Sequence, residues 1–446
     1  MKHLLNFSAL VLSLLLIIAC NPNKQKTDNA DFQLPEVTDI AMYQVNPRVF
    51  APQNSLNAVA ARIDSIKDLG VNVIWVMPIY PIGEVKSKNS PYSIKDYKAV
   101  ASEFGTIDDF KNLVKVCHEH GMAIILDWVA NHTAWDNAWV KEHPDWYTHD
   151  KKGEIIFPEN TDWTDVADLN YDNPEMRKAM IDAMKFWITE VGIDGFRCDV
   201  ADAVPTDFWK DAIAQLRKAA SPRKIVMLAE GNDKKNFVDG GFDMNYAWDF
   251  KDAVIATFKG ESAKKLLETD SAEYAGLPEG KVKLRFTTNH DEATKESPVV
   301  LYGNERGSMA AFVATSMLHG GLLVYGSQEV GYEKPINFFH YVPVNWMQRP
   351  ELYQEYQQLI KVYNENAALR KGKMADAGTN DDVLLFTRTL DGETYIIAVN
   401  VHNKLVPMPT KDLAGTNVTD VMTGKDGTII DKTSLKPYEY RIWKKK

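Results

Sequence analysis

Residues 107–128 read IDDFKNLVKVCHEHGMAIILDW. Apolar residues at 107, 110, 113, 114 and 117 share one side of a 3.6-residue period, which predicts a helix over Ile107 to His120. Gly121 can adopt the left-handed conformation that ends it. Met122 to Trp128 follows as a nearly unbroken apolar run, the pattern of a strand covered on both faces. Val71 to Met77, upstream, is another such run. Strand, helix and strand in this order make a βα unit of a parallel sheet.

The pattern extends in both directions. Ile40 to Asn46 is a first strand, with its helix over Leu56 to Leu69 closed by Gly70. Downstream, strands are predicted at Ile193 to Val200, Ile225 to Glu230, Phe242 to Trp248, Val282 to Thr288 and Gly321 to Tyr325. Helices fall at Pro174 to Val191, Pro205 to Ala220, Phe250 to Leu267, Arg306 to His319 and Glu351 to Leu369. Eight strands alternating with helices predict an α/β protein with a (β/α)8 TIM barrel over 39–132 and 171–370. The 446 residues suit such a barrel with one accessory domain.

One long segment breaks the alternation. Residues 133–170, after the third strand, are rich in Trp, Asp, His and Pro and show no regular period, so they form a short inserted domain. Trp135, Trp139, Trp146 and Trp163 lie there; most should build its core, and one should face the ligand. From residue 371 to 446 the texture becomes alternating, with Val383 to Arg388, Thr394 to Val399, Val406 to Pro409 and Tyr438 to Trp443 as strands. Turns such as Asp391-Gly392 separate them, which predicts a C-terminal antiparallel β-sandwich.

The first residues are read as a targeting segment. Residues 1–19 have a basic start and an apolar run that ends Ile17-Ile18-Ala19-Cys20, and this resembles a bacterial lipobox. The resemblance implies export, cleavage before Cys20, and anchorage to a membrane through its lipidated thiol, with residues 20–38 as a polar tether. Periplasmic and cell-surface display both stay open. The net charge of -10 excludes nucleic acid as a partner, since no basic stripe is present to engage phosphates. Cys117 and Cys198 read as two buried thiols.

Barrel active sites lie at the C-terminal ends of the strands. The third strand ends Asp127-Trp-Val-Ala-Asn131-His132, and the fourth ends Gly195-Phe-Arg197-Cys-Asp199. The fifth ends Leu228-Ala-Glu230 and the seventh Asn289-His290-Asp291. Arg197 and Asp199 are two apart on a strand and so share a face. A guanidinium there would keep Asp199 ionised, as a nucleophile requires. Glu230 has no basic neighbour in sequence, so burial should hold its proton as a general acid requires. Taken alone, Arg197 and Asp199 would equally make a barrel ion pair, with Glu230 a loop acid.

The four strand ends together, in this order and spacing, resemble the four sequence regions of the α-amylase family of glycoside hydrolases. Ser90-Pro-Tyr92-Ser-Ile-Lys-Asp-Tyr97 and Val166-Ala-Asp168-Leu-Asn170 resemble further segments of it. The resemblance implies retaining cleavage of α-glucosidic bonds, mainly α-1,4, in starch-derived glucans or maltooligosaccharides. By it Asp199 is the nucleophile, Glu230 the acid and base, and Asp291 the residue that grips the sugar beside the anomeric carbon. Tyr92 would stack on that sugar, His132 and His290 would hydrogen-bond it, and Arg197 would orient Asp199. Retention would require carboxyl groups roughly 5 to 5.5 Å apart.

The chain also departs from the pattern. Where many endo-acting members carry Lys-His after the nucleophile, it has Asp202 and Ala203, so a grip on the leaving-group side is in doubt. Asn131 and Asp168 match calcium-ligand positions of the family and offer oxygens, but further ligands for a structural Ca2+ are not identifiable. Asn170 in place of Asp is closer to relatives acting on α-1,6 bonds or short oligosaccharides. A transglycosidase or isomerase is the alternative within enzymes, and a non-catalytic glucan-binding lipoprotein the alternative outside them. A metal-dependent hydrolase is rejected, because the one His-x-His pair, His118 and His120, lies at the wrong end of the barrel.

Overall fold

Eight parallel strands close on themselves in the order in which the chain makes them. They are β1 (Ala41–Val45), β2 (Val73–Val76), β3 (Ala123–Trp128), β4 (Gly195–Cys198), β5 (Val226–Ala229), β6 (Met244–Tyr246), β7 (Val282–Arg285) and β8 (Gly321–Tyr325). β8 pairs with β1 through Ala41 and Leu322, which completes the barrel. The computed structural model describes residues 32–446 except Lys411. Cys20 and the targeting segment fall outside the described residues.

Period two sorts each strand's side chains. Met42, Val73, Trp75, Ile125, Leu228 and Leu284 fill the barrel interior. Their neighbours Tyr43, Ile74, Val76, Ile124, Met227 and Val324 face the helices and join the larger outer core. Both faces are buried, which is why the strands read as unbroken apolar runs. Phe32, Leu34 and Val37 pack against the interior cluster from below, ahead of β1. The described chain therefore begins at the floor of the barrel, opposite the mouth where the strands end.

Helix Ile107–Glu119 starts on a reciprocal cap, in which Asp109 N–H donates to Thr106 Oγ1 at 3.1 Å and Thr106 N–H to Asp109 Oδ2 at 2.8 Å. Several other helices are more broken than their periodicity suggests. The 56–69 stretch is two short helices, Ser55–Ala60 and Ile63–Asp68, joined by a tight turn in which Arg62 N–H reaches Val59 O. The 250–267 stretch divides into Trp248–Phe258 and Lys264–Tyr274, because Gly260 at φ 116° ends the first helix. Trp187–Val191 continues helix Pro174–Phe186 as a wider π-type turn.

The inserted segment holds more regular structure than its composition suggests. His132–Ala134 pairs antiparallel with Val166–Asp168, and a five-residue helix, Ala138–Glu142, lies between them. At the C-terminus a six-stranded antiparallel sheet carries only a two-stranded ribbon, Val406–Pro407 with Ser434–Leu435, as its second layer. Val383, Leu385, Ile396 and Ala398 of the sheet meet Val406, Met408 and Leu435 in the core between them. Cys117 and Cys198 are buried free thiols. No helix among the described residues is long and apolar enough to cross a membrane.

Candidate active site

A cavity of about 510 Å³ opens at the C-terminal ends of the strands. Tyr92, His132, Asp199, Glu230, His290 and Asp291 all line it. Arg197 lies beneath, fully buried, and connects the acids. Its Nη1 donates to Asp127 Oδ1 at 2.7 Å and to Asp199 Oδ1 at 2.9 Å. Its Nη2 stands 2.8 Å from Glu230 Oε2, an ion-pair contact out of line with the N–H direction. Its Nε donates to Tyr246 Oη at 3.2 Å, and the rings of Trp75 and Tyr246 flank the guanidinium at 5.1 and 5.5 Å. Three acids from β3, β4 and β5 thus share one cation.

Asp199 is not the lowered-pKa carboxylate that its neighbour Arg197 suggests. Burial pushes its pKa well above the usual carboxylate range; Arg197 opposes this, and repulsion from Glu230, Asp127 and Asp291 adds to it. Burial likewise takes Asp127 up to about 6, against the pull of Arg197. One guanidinium divided among several acids cannot hold all of them ionised, so the cluster keeps a proton that titrates as a shared one.

The backbone also fixes the Glu230 carboxyl group. Val200 takes φ 35° and ψ 48°, a left-handed conformation that a β-branched residue rarely adopts. The turn aims Val200 N–H at Glu230 Oε2, 2.8 Å away. Arg197 faces the same oxygen, which leaves Oε1 for a substrate atom.

A second chain of hydrogen bonds fixes the sugar-contacting candidates. Gln44 Nε2 donates to His290 Nδ1 at 2.8 Å, so the imidazole carries its proton on Nε2. That nitrogen lies 2.8 Å from Tyr92 Oη, and Tyr92 donates in turn to Asp127 Oδ2 at 3.1 Å. Burial and the nearby Arg197 take His290 down to about 3, and burial takes His132 down to about 4. Both are neutral donors and acceptors at ordinary pH. Asp291 is the most open of the acids, with its side chain 40% exposed against 10% for Asp199 and 12% for Glu230, so it sits at the rim.

Of the inserted domain's tryptophans, Trp146 is buried against Trp139, and Trp135 lies under Lys86. Trp163 lines the cavity beside His132. Several lining residues carried no signal in the sequence. Phe338 and Phe339 come from the loop after β8, a stretch that matches no motif, and Lys88 from the loop after β2, just ahead of the Ser90 to Tyr97 segment. Gln44 and Asp127 point inward from strand ends and could have been found by residue parity.

Asp202 faces away from a leaving-group position. Its carboxylate accepts from Asn232 N–H at 2.8 Å, Asp233 N–H at 3.2 Å and Asn236 Nδ2 at 2.7 Å. Gly231 has no freedom to carry a side chain, since a Cβ would fall 2.1 Å from Asp202 Oδ1. This residue pins the loop that follows Glu230.

Asn131 and Asp168, the two calcium candidates, lie beside the ribbon in which His132 pairs with Asp168. The Asn131 side chain bonds His132 Nδ1 at 3.2 Å. The backbone carbonyls nearby are engaged: Ala130 O by Tyr171 Oη, Val129 O and His132 O by Tyr97 Oη, and Asn131 O by Leu169 N–H. No three His, Cys, Asp or Glu side chains converge on a cation position among the described residues. A calcium ion needs six to eight oxygens; the Asn131 bond to His132 uses its Nδ2 and leaves Oδ1 unengaged.

Comparison with known proteins agrees with this geometry. Residues 44–340 match the family model "Alpha amylase, catalytic domain", and residues 377–442 match "Maltogenic Amylase, C-terminal domain". The α-amylase MalA of Haloarcula japonica is 27% identical over 90% of this chain and 62% of its own length. The chain thus spans less than two thirds of that relative. A cyclomaltodextrinase of Geobacillus thermopakistaniensis is 26% identical over 92% of this chain and 78% of its own. The crystal structure of an α-amylase from Lactobacillus plantarum superposes with a TM-score of 0.82 at 28% identity, covering 92% of this chain and 99% of that one. With the catalytic-domain model matched over most of the barrel and the acids gathered at its mouth, the chain belongs to the α-amylase family of glycoside hydrolases.

Proposed function

We propose that this protein is a retaining glycosidase that cleaves α-glucosidic bonds, mainly α-1,4, in starch-derived glucans or maltooligosaccharides. One observation carries the reading: Arg197 ties Asp199 and Glu230, from neighbouring strands, to the floor of one cavity with Asp291 at its rim. Asp199 attacks the anomeric carbon while Glu230 delivers a proton to the departing oxygen. Val200 N–H and Arg197 both face Oε2 of Glu230, so Oε1 is the oxygen open toward the departing group. Asp199 then bears the glycosyl group, and Glu230 takes a proton from the incoming water. Asp291, His132 and His290 hold the hydroxyls, and Tyr92 offers its ring to the apolar face of the sugar. Asp202 is engaged by Asn232 and Asn236, so no charged grip at that position holds the leaving group or a sugar acceptor in its place, which favours hydrolysis over transfer.

The test is the product anomer. Proton NMR of a maltooligosaccharide digest should show the α-anomer first, with the β-form growing in by mutarotation. A digest in which the β-anomer leads would overturn retention. The same digest, resolved by chromatography, gives the share of transfer products.

Calcium is not built into this reading. Incubation with EDTA should leave Tm within about 1 °C of the untreated protein, because a ligand bound only by the folded state is what would add stability. A fall of several degrees that added calcium reverses would restore the metal site. Export and anchorage through a lipidated Cys20 complete the proposal. Phe32 and Leu34 enter at the floor of the barrel, which leaves the mouth free for soluble glucans.

A further inference from the structure

Beyond Tyr92 and His290 the cavity does not run on as a groove. The loop after β2 leaves the barrel at Ile82 and returns at Ile94, which pair with each other. Its tip is fastened on both sides. Lys88 Nζ donates to Asp162 O at 2.9 Å and lies 3.6 Å from the carboxylate of buried Asp165, which binds the tip to the inserted domain. Asn89 Nδ2 donates to Phe339 O at 2.5 Å, which binds it to the loop after β8. Asn89 sits at φ 61°, a left-handed conformation that Asn tolerates better than most residues.

A buried guanidinium locks the second attachment. Arg48 is 4% exposed. Its Nη1 donates to three carbonyls, of Asn89, Phe338 and Phe339, at 3.0, 3.0 and 2.9 Å. Its other face pairs with Glu103, at 3.0 Å from Nε and 2.5 Å from Nη2. One side chain therefore joins the loops after β1, β2 and β8. Charge-assisted bonds in a buried setting are among the stronger ones a loop can have.

The side on which this strap lies decides what it does. A general acid protonates the departing oxygen, so the leaving group exits past Glu230. The retained sugar rests on Tyr92 and His290. Phe338 packs on both of those rings, at 5.8 and 5.4 Å. The strap is thus on the retained-sugar side, and Lys88, Ser90, Phe338 and Phe339 line the cavity there. None of the residues after Glu230 in its own loop lines it.

Building on the glycosidase reading above, we infer that this protein is exo-acting: the strap 83–93 closes the cleft, so substrates enter by a non-reducing end and lose a short unit. Lys88 and the Phe338-Phe339 pair set how many sugars fit before the wall. Cyclic and end-capped glucans have no end to insert and are poor substrates.

The experiment compares maltoheptaose with the same oligosaccharide capped as a 4,6-acetal at its non-reducing end, and with β-cyclodextrin. The native protein should cleave the capped and cyclic forms at least tenfold more slowly than the free one, and its first products should all be short. The double variant Lys88→Ala with Asn89→Gly removes both side-chain fastenings of the tip, leaving the Arg48 bond to the backbone carbonyl at 89, and Gly accepts the backbone angle. It should narrow that gap and yield mid-length products early. Equal cleavage of free and capped chains by the native protein would overturn the closed end while leaving the glycosidase reading intact. Inactivity on every α-glucan would overturn both. A double variant with native product sizes would overturn the assignment of chain-length control to the Lys88 and Asn89 side chains.

Discussion

Asp199→Asn should lose activity on maltooligosaccharides by about 10⁴-fold or more, the scale seen when one member of a concerted catalytic unit is removed. That corresponds to about 5.5 kcal/mol of barrier. The amide matches the carboxylate in shape and can still accept from Arg197 Nη1 through its oxygen, so the barrel has no reason to change. The amide is a poor nucleophile and cannot form the glycosyl ester. Stability should move the other way. The folded state raises the Asp199 pKa above its unfolded value. Between those two values the folded protein holds a proton that the unfolded chain releases, so stability declines as pH rises through that window and stays reduced above it. A neutral Asn removes the penalty. Tm at neutral pH should therefore equal or exceed that of the native protein, and the advantage should vanish in acid, where Asp is protonated in both states. Activity within tenfold of native would strip Asp199 of its role. A lower Tm at neutral pH with lost activity would mean the residue is structural.

Much of this site could be read from the chain, for a simple reason. Strand ends of a parallel barrel all point to one mouth, so an acid at the end of a strand is located by counting alone. Asp199, Glu230 and Asp291 were legible in this way, and Arg197 by its parity with Asp199. What the Arg197 charge does was not legible. In sequence it neighbours Asp199 only, whereas in space its two terminal nitrogens serve Asp127, Asp199 and Glu230. Burial, aided by repulsion from Glu230, Asp127 and Asp291, reverses the direction of the Asp199 shift. The cleft wall was illegible for a different reason. Arg48 finds Phe338 and Phe339 some 290 positions away, and no periodicity records such a contact. Gly260 was visible but ambiguous, since a glycine inside a helical pattern can be tolerated or can end it. Alternation in the C-terminal domain reports one buried face and not how many strands cover it, so the two-stranded ribbon over the sheet was not legible.

Arg197→Met should destabilise the fold by about 3 to 5 kcal/mol, the range for breaking a buried ion pair from one side. For a domain of this size that is a fall in Tm on the order of 5 to 10 °C. Met keeps much of the volume between Trp75 and Tyr246, so the loss is electrostatic and not a cavity. Asp127, Asp199 and Glu230 would face one another with no cation among them. The pH dependence separates this cause from a packing defect. In the native protein burial already takes Asp127 up to about 6 and raises Asp199 well above the usual carboxylate range, even with the guanidinium pulling both down. Without it their folded-state values climb higher, while the unfolded values stay near 4. The folded variant then binds more protons than the unfolded chain across a wider window, so its stability rises as pH falls through that window. Chemical denaturation at about pH 8 and about pH 5 should show the deficit shrinking toward acid. A deficit that is the same at both values would mean that Arg197 acts through packing alone, and the shared charge beneath the cavity would lose its support.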